Sequence, residues 1–251
     1  MEVINYISLT SKRFRKAVFT PTLKLQFQML FFISLVVIST ESDFTAADIP
    51  QSNSILGQNE KLVTVDVVGE SMCPDTTRFV TTQLLPAFKK FRSRLQINYH
   101  PYGPTMRTLC YQSESGTVVC KCQHGPEECR KNALQACVID ALLNAVNYLD
   151  IVACIQGPFG FSDAYTKCIA NSTVSGKLDQ NKMFQCANSD EGRLLMAKHG
   201  TESVKFGANI YWVPWIAING VRVPAAEKRF EDVLCNQYFD PRPSECQSLK
   251  P

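Results

Sequence analysis

The sequence predicts an α/β layer structure interrupted by a cysteine-rich, mainly helical insertion. Three observations lead there. A β-branched run, an amphipathic helix and a second strand follow one another between residues 61 and 99. A strand, an Asn-Gly turn, a return strand and a closing helix occupy residues 211–238. Between them, at about 105–200, lie eight of the eleven cysteines in a stretch of helical character. Alternating strand and helix signals at both ends point to helices packed on one sheet.

The elements follow in order. Lys61 to Val68 is short and β-branched, the pattern of a buried strand, and Gly69 to Pro74 reads as a turn. Phe79, Leu84, Phe88, Phe91 and Leu95 recur at near-helical spacing, with Pro86 expected to kink that helix. Gln96 to Tyr99 is the second strand. Residues 105–121 read as a hairpin turning at Ser113 to Gly116, so Cys110 and Cys120, which flank the turn, are expected to pair. Ala133 to Leu149 is expected as one helix, followed by cysteine-punctuated helical segments to residue 200, including Glu191 to His199. Tyr211 to Ile218 is strand-like, Asn219-Gly220 is a two-residue hairpin turn, Val221 to Val223 returns, and Ala225 to Tyr238 closes as an amphipathic helix. No internal repeat is visible.

Composition narrows the function. A chain of 251 residues with 45% hydrophobic and 20% charged side chains is neither disordered nor collagen-like. A net charge of +3 is too weak for a nucleic-acid footprint, so no nucleic-acid partner is expected. Eleven cysteines point to an oxidising compartment, and the odd number leaves at least one thiol unpaired if the rest bridge within the chain.

The amino terminus agrees with that compartment. Lys12, Arg13, Arg15, Lys16 and Lys24 precede an apolar run at 29–38, a signal-peptide pattern too short for a span of about 20 residues. An uncleaved signal anchor is the alternative. Thr45 and Ala47 offer a cleavage point before Asp48, with Ser39 a second choice. Residues 1–47 are thus read as a signal peptide with a basic leader, 48–60 as a loose leader, 61–246 as the folded domain and 247–251 as a tail. Asn171 begins an Asn-Ser-Thr glycosylation sequon, usable only in the secretory lumen. A secreted or lumenal protein follows, with no membrane association after cleavage.

The chemistry is expected at Cys73. A cysteine where a strand turns into a helix faces unpaired amides and the positive end of the helix, which favour thiolate and bring its pKa to about 3.5–7.5. Thiolate is the species that attacks disulfides. The competing reading makes Cys73 half of a structural bridge. Pro214, opening a core strand, cannot donate to a ladder and is a candidate for a cis peptide; an edge-strand proline is the plainer account. Strand, Cys-Pro and helix, followed later by a proline-headed hairpin, is the layout of thioredoxin-like proteins, whose cis-proline loop lies against the reactive cysteine.

The segment from Cys122 to Cys137 is the most specific. Cys120, Cys122, His124 and Cys129 resemble a compact zinc knuckle, but such sites belong to reducing compartments, so no metal is expected. A structural disulfide knot ahead of the long helix is the preferred reading, with His124 a local hydrogen-bonding residue.

Here the sequence resembles the gamma-interferon-inducible lysosomal thiol reductase family. Its Cys-Gln-His-Gly-x-x-Glu-Cys-x-x-Asn-x-x-x-x-Cys signature is matched by Cys122, Gln123, His124, Gly125, Glu128, Cys129, Asn132 and Cys137. Glu70 to Pro74, Pro101-Tyr102-Gly103, Val213-Pro214-Trp215 and Asn219-Gly220 support the match. Cys154, Cys168, Cys186, Cys235 and Cys246 fall where the family's later cysteines would. The resemblance implies a thioredoxin-like fold with an inserted helical segment, secreted or lysosomal residence, and reduction of protein disulfides in host defence or protein degradation. It implies Cys73 as the attacking residue, Pro74 shaping its turn, and Pro214 and Trp215 lining the site for disulfide-containing proteins or peptides. No bound cofactor is implied.

One departure is central. Active family members carry two cysteines separated by two residues, whereas here Thr76 stands in the resolving position of Cys73-Pro74-Asp75-Thr76. Threonine cannot attack a disulfide, so an external small-thiol reductant must release any mixed disulfide at Cys73. Asp75 adds a charge that opposes the thiolate. The remaining ten cysteines suffice for five bridges. The alternative is a family member without efficient catalysis that binds or covalently traps peptides.

Overall fold

The computed structural model describes residues 61–171 and 178–247. The expected signal peptide at 1–47 and leader at 48–60, and all but Gln247 of the tail, lie outside the described residues. Strand β1 (Val63–Gly69) runs into helix α1 (Pro74–Phe79), a π turn at Val80–Leu84 and helix α2 (Leu85–Lys90), then strand β2 (Leu95–Pro101). After a long excursion the chain returns as β5 (Trp215–Ile218) and β6 (Val221–Arg222), and closes with α8 (Phe230–Val233). The sheet order is β2-β1-β5-β6, with β2 parallel and β5 antiparallel to β1. A parallel βαβ unit followed by an antiparallel hairpin and a closing helix is a thioredoxin-like core.

β1 is the central strand, and six of its seven residues are buried. Strands covered on both faces read as continuous apolar runs, which is how Val63 to Val68 reads. Phe79, Val80, Leu84, Phe88 and Phe91 pack under the sheet, as the helical spacing demands. Pro86 has no N–H for the preceding turn, and the helix passes it through the widened π turn just ahead. Leu95 is not on that helix: it opens β2 opposite Val63.

The excursion carries hairpin β3 (Leu109–Gln112) and β4 (Val118–Lys121), then helices α3 (Pro126–Leu142), α4 (Ala145–Ile155), α5 (Phe161–Tyr165), α6 (Gln180–Ala187) and α7 (Asp190–Ser203). The single helix expected over Ala133 to Leu149 is two. Leu143 adopts a positive φ of 58° with 81% exposure, and the Asn144 side chain accepts from the Val146 amide at 2.9 Å, capping α4. The strand expected from Tyr211 starts only at Trp215, because the chain first bends through the cis peptide at Pro214. The closing helix begins at Phe230, not Ala225; Pro224–Glu227 is a 3₁₀ turn, and α8 runs on into a π turn at Leu234–Tyr238. At Asn219-Gly220 both residues have positive φ, 49° and 80°, as a two-residue hairpin turn of this hand requires.

Disulfides join Cys110 to Cys120, Cys122 to Cys129, Cys137 to Cys186, Cys154 to Cys168, and Cys235 to Cys246. Cys73 is the free cysteine among the described residues. Five bridges fit an extracellular or secretory compartment. No helix among the described residues is long and apolar enough to cross a membrane.

Candidate active site

Cys73 is the N-cap of α1, and Pro74 takes the first helical position, where a missing N–H costs nothing. The sulfur accepts from the Thr76 amide at 3.5 Å, and the thiol donates to the Val213 carbonyl at 3.7 Å. Val213 precedes the cis-peptide Pro214, so the strand-to-helix turn and the proline-headed hairpin meet at the sulfur, 140 residues apart in sequence. Around it Val68, Ile210 and Val213 form a small apolar cluster, with Phe206 and Trp215 against it.

That enclosure corrects the expectation of a depressed thiol. Cys73 is only 9% exposed, and burial pushes its thiol up from the ordinary value. The Thr76 amide and the Asp75 amide oppose the rise, while the Glu70 charge adds to it. Asp75 is not the opposing acid: its carboxylate turns outward to Arg78 at 2.7 Å.

Thr76 is fully buried and its hydroxyl makes no hydrogen bond. Its methyl packs beneath the end of β1, where a Cβ on Gly69 would come within 2.7 Å of Thr76 Cγ2 and 2.4 Å of Tyr99 Oη. Glycine is required there because backbone, threonine and tyrosine converge.

The insertion holds this turn in place. Asn132 accepts from the Ser71 amide at 2.8 Å and donates to the Tyr102 carbonyl at 3.1 Å. Lys131, fully buried, donates to the carbonyls of Ser71, Gly157 and Phe159 at 3.4, 2.6 and 2.9 Å. Burial lowers its pKa to about 8. In the orientation that satisfies its whole amide, Gln156 donates to the Glu70 and Ser71 carbonyls, each at 3.1 Å, and accepts from Tyr99 at 2.5 Å. The signature residue Asn132, with its neighbour Lys131 and the more distant Gln156, therefore acts on the cysteine turn.

Pro214 is buried and Trp215 partly so. Trp215 Nε1 donates to the Phe206 carbonyl at 3.0 Å, and Arg222 stacks on its ring at 4.1 Å. The exposed part of this wall is Trp212, 52% exposed and 5.4 Å from Trp215 between ring centres, with Tyr211 beside it at 55%. Both lay inside a segment read only as strand, so their exposure was missed.

The zinc knuckle is not formed, because Cys120, Cys122 and Cys129 are all in disulfides. Glu70, His124 and Glu128 do bring ligand-type atoms within 4.8 Å of one another. Glu128, however, already binds the His124 ring at 2.6 Å and the His124 amide at 3.0 Å, a bonded acid–imidazole pair. Asn171 is exposed, while the remainder of its sequon lies outside the described residues.

A thioredoxin-like core with one thiol at the helix start, and the carbonyl that precedes the cis-proline against it, is the arrangement of a thiol–disulfide exchange protein. Residues 64–172 match the family described as gamma interferon inducible lysosomal thiol reductase (GILT). A GILT-like protein of Caenorhabditis elegans is 40% identical over 193 residues, 76% of this chain and 86% of that protein. The gamma-interferon-inducible lysosomal thiol reductase of Carassius auratus is 27% identical over 197 residues, 76% of this chain and 75% of that protein. Among solved structures, Chlamydia trachomatis DsbA is similar at 11% identity and a TM-score of 0.46, covering 67% of this chain and 80% of that one. The chain belongs to the GILT family, and family and fold together support a thiol reductase role.

Proposed function

We propose that this protein is a monothiol reductase of protein disulfides in the lysosome or outside the cell, acting through Cys73. The single observation that carries the reading is the Cys73 sulfur held between the Thr76 amide and the Val213 carbonyl, with Thr76 filling the resolving position. Cys73 thiolate attacks one sulfur of a substrate disulfide, forming a mixed disulfide and expelling the other sulfur as thiolate. A small external thiolate then attacks the substrate sulfur of that bond, returning Cys73 as thiolate and leaving the external thiol bonded to the substrate. A second external thiolate attacks the external sulfur of that new bond, freeing the substrate thiolate and forming the external disulfide. Two electrons pass from external thiols to the substrate, and no cofactor is consumed. Pro74 shapes the turn, Pro214 offers backbone to an extended peptide, and Trp215 with Trp212 forms the adjacent wall. The substrates are disulfide-containing proteins or peptides, and their reduction serves host defence or protein degradation.

A second reading has its own support. The buried, upward-shifted thiol of Cys73 favours slow exchange, which suits a protein that binds or traps peptides more than one that turns over. Disulfide reduction at mildly acidic pH with a small-thiol reductant separates them. The reductase reading expects turnover in the wild type, none in Cys73→Ser, and faster turnover in Thr76→Cys. Turnover confined to Thr76→Cys would overturn it and leave the trap.

A further inference from the structure

Glu70 and Glu128 are carboxyl groups at 1% and 0% exposure that share one imidazole. Glu128 is well bonded, with Oε2 2.6 Å from His124 Nδ1 and Oε1 accepting from the His124 amide at 3.0 Å. Glu70 is not: its Oε1 stands 3.5 Å from the same Nδ1, and its Oε2 is buried without a partner. That oxygen lies against Gly103, whose added Cβ would come within 2.6 Å of it and within 2.8 Å of the equally unpartnered Thr108 hydroxyl. Two adjacent buried carboxylates oppose each other's ionisation, and low dielectric penalises both. Glu70, with one oxygen buried without a partner and the other 3.5 Å from the ring, is the carboxyl that keeps its proton. Burial first, and the Glu128 charge second, push Glu70 up to about 8, with Arg107 opposing.

Glu70 shares a turn with Cys73, and its charge, when present, opposes the Cys73 thiolate. The charged and titratable groups around it come from every neighbouring element. They are His124 from the loop before α3, Glu128 and Lys131 from α3, Arg107 from the loop before β3, and Tyr99 from β2. Lys131 makes all of its hydrogen bonds to carbonyls, so it forms no ion pair that would hold Glu70 ionised.

We propose that Glu70 is a positioning residue for the thiol chemistry: as a neutral acid in acidic surroundings it leaves the Cys73 thiolate unopposed, and once ionised it suppresses that thiolate. This rests on the reading of Cys73 as the reacting thiol. It gives the site a pH response skewed to the acid side, because raising the pH charges both groups and each resists the other. Beside burial and the Thr76 and Asp75 amides, the proton on Glu70 is a further contribution to how easily Cys73 loses its own.

The test is the rate of Cys73 alkylation by iodoacetamide in the full, disulfide-intact protein from pH 5 to 10, for wild type and Glu70→Gln. At pH 9 the variant should react about 3- to 10-fold faster, equivalent to roughly 0.5–1 pKa unit, and at pH 5.5 within about twofold of wild type. Superimposable profiles, or an equal difference at both pH values, would overturn the proposal. If Glu70→Gln does not fold, the wild type carries the test through its carboxylic-acid carbonyl band in the infrared. A band present at pH 6 and lost above pH 8 supports the proposal, and its absence at pH 6 overturns it. Alkylation reads Cys73 whether or not the protein turns over, so failure here is distinct from failure of the reductase reading.

Discussion

The insertion and the cysteine turn it packs against use sulfur for opposite ends. Between β2 and β5, eight cysteines are joined in four disulfides, stapling short helices such as five-residue α5 and eight-residue α6. The turn from Gly69 to Pro74 has no covalent tie and is held by Asn132, Lys131 and Gln156. Short helices are marginal alone, so the insertion gains most from restricting its unfolded chain. A reactive thiol must stay out of any such bond. Stability and reactivity are therefore assigned to different cysteines by position, and the polar contacts of α3 connect the two regions.

The contrast breaks most visibly if cross-links are removed. Deleting the Cys137–Cys186 bridge, whose partners are 49 residues apart, should cost about 4 kcal/mol in denaturant unfolding, against about 3 kcal/mol for the 10-residue Cys110–Cys120 bridge. Cys73→Ser should lie within about 1 kcal/mol of wild type, the range of a near-isosteric change. Equal costs for Cys73→Ser and the Cys137–Cys186 deletion would erase the distinction.

Asn132→Ala removes both hydrogen bonds joining the regions and orphans the Ser71 amide and the Tyr102 carbonyl. Each orphan costs about 1–3 kcal/mol, so a loss on the order of 3 kcal/mol is expected, with faster alkylation of Cys73 as its turn loosens. Unchanged stability would mean that the turn holds itself.

Acid sharpens the comparison. His199 lies beside His100, their Nδ1 atoms 3.4 Å apart, and burial with the His100 charge pushes it down to about 3. Between that value and the unfolded value of about 6.5, the unfolded chain binds the extra proton. The contribution is complete above pH 6.5 and is lost as the pH falls toward 3. The raised Glu70 acts oppositely: from its ordinary 4.5 to about 8 the folded state binds the proton more tightly, so stability falls as pH rises through that window. His199→Gln should therefore lessen the fall in Tm between pH 6.5 and pH 4.5 by on the order of 5 °C. Parallel curves for variant and wild type would contradict the assignment.

The smallest effect is expected at Trp212. Its exposed ring adds contact area to the wall beside Pro214, so Trp212→Ala should raise KM for a peptide disulfide by about 1 kcal/mol with kcat little changed. A loss confined to kcat would move Trp212 into the chemistry.

Local features were legible in the sequence. The β-branched run of β1, the Cys-Pro helix start, and the Asn-Gly turn each depend on residues within a few positions. Breaks in an apolar pattern were not. Leu143 continues the helical spacing yet sits exposed with positive φ, and only the capping ability of Asn144 hinted at two helices. At the site, Cys73, Pro214 and the Thr76 substitution could be read directly. Burial could not, so the Cys73 thiol was expected low and is pushed up, and Asp75 was blamed where Glu70 acts. His100 and His199, 99 residues apart, are joined only by the fold.

The most direct test of the central claim is intact-mass analysis of the native protein mixed with a disulfide peptide in the absence of small thiols. One peptide adduct on Cys73, stable until an external thiol is added and accompanied by five intact disulfides, is the predicted result. Spontaneous release of the peptide with rearrangement of a structural disulfide would show that a second cysteine of the chain resolves the bond, and would contradict a monothiol site.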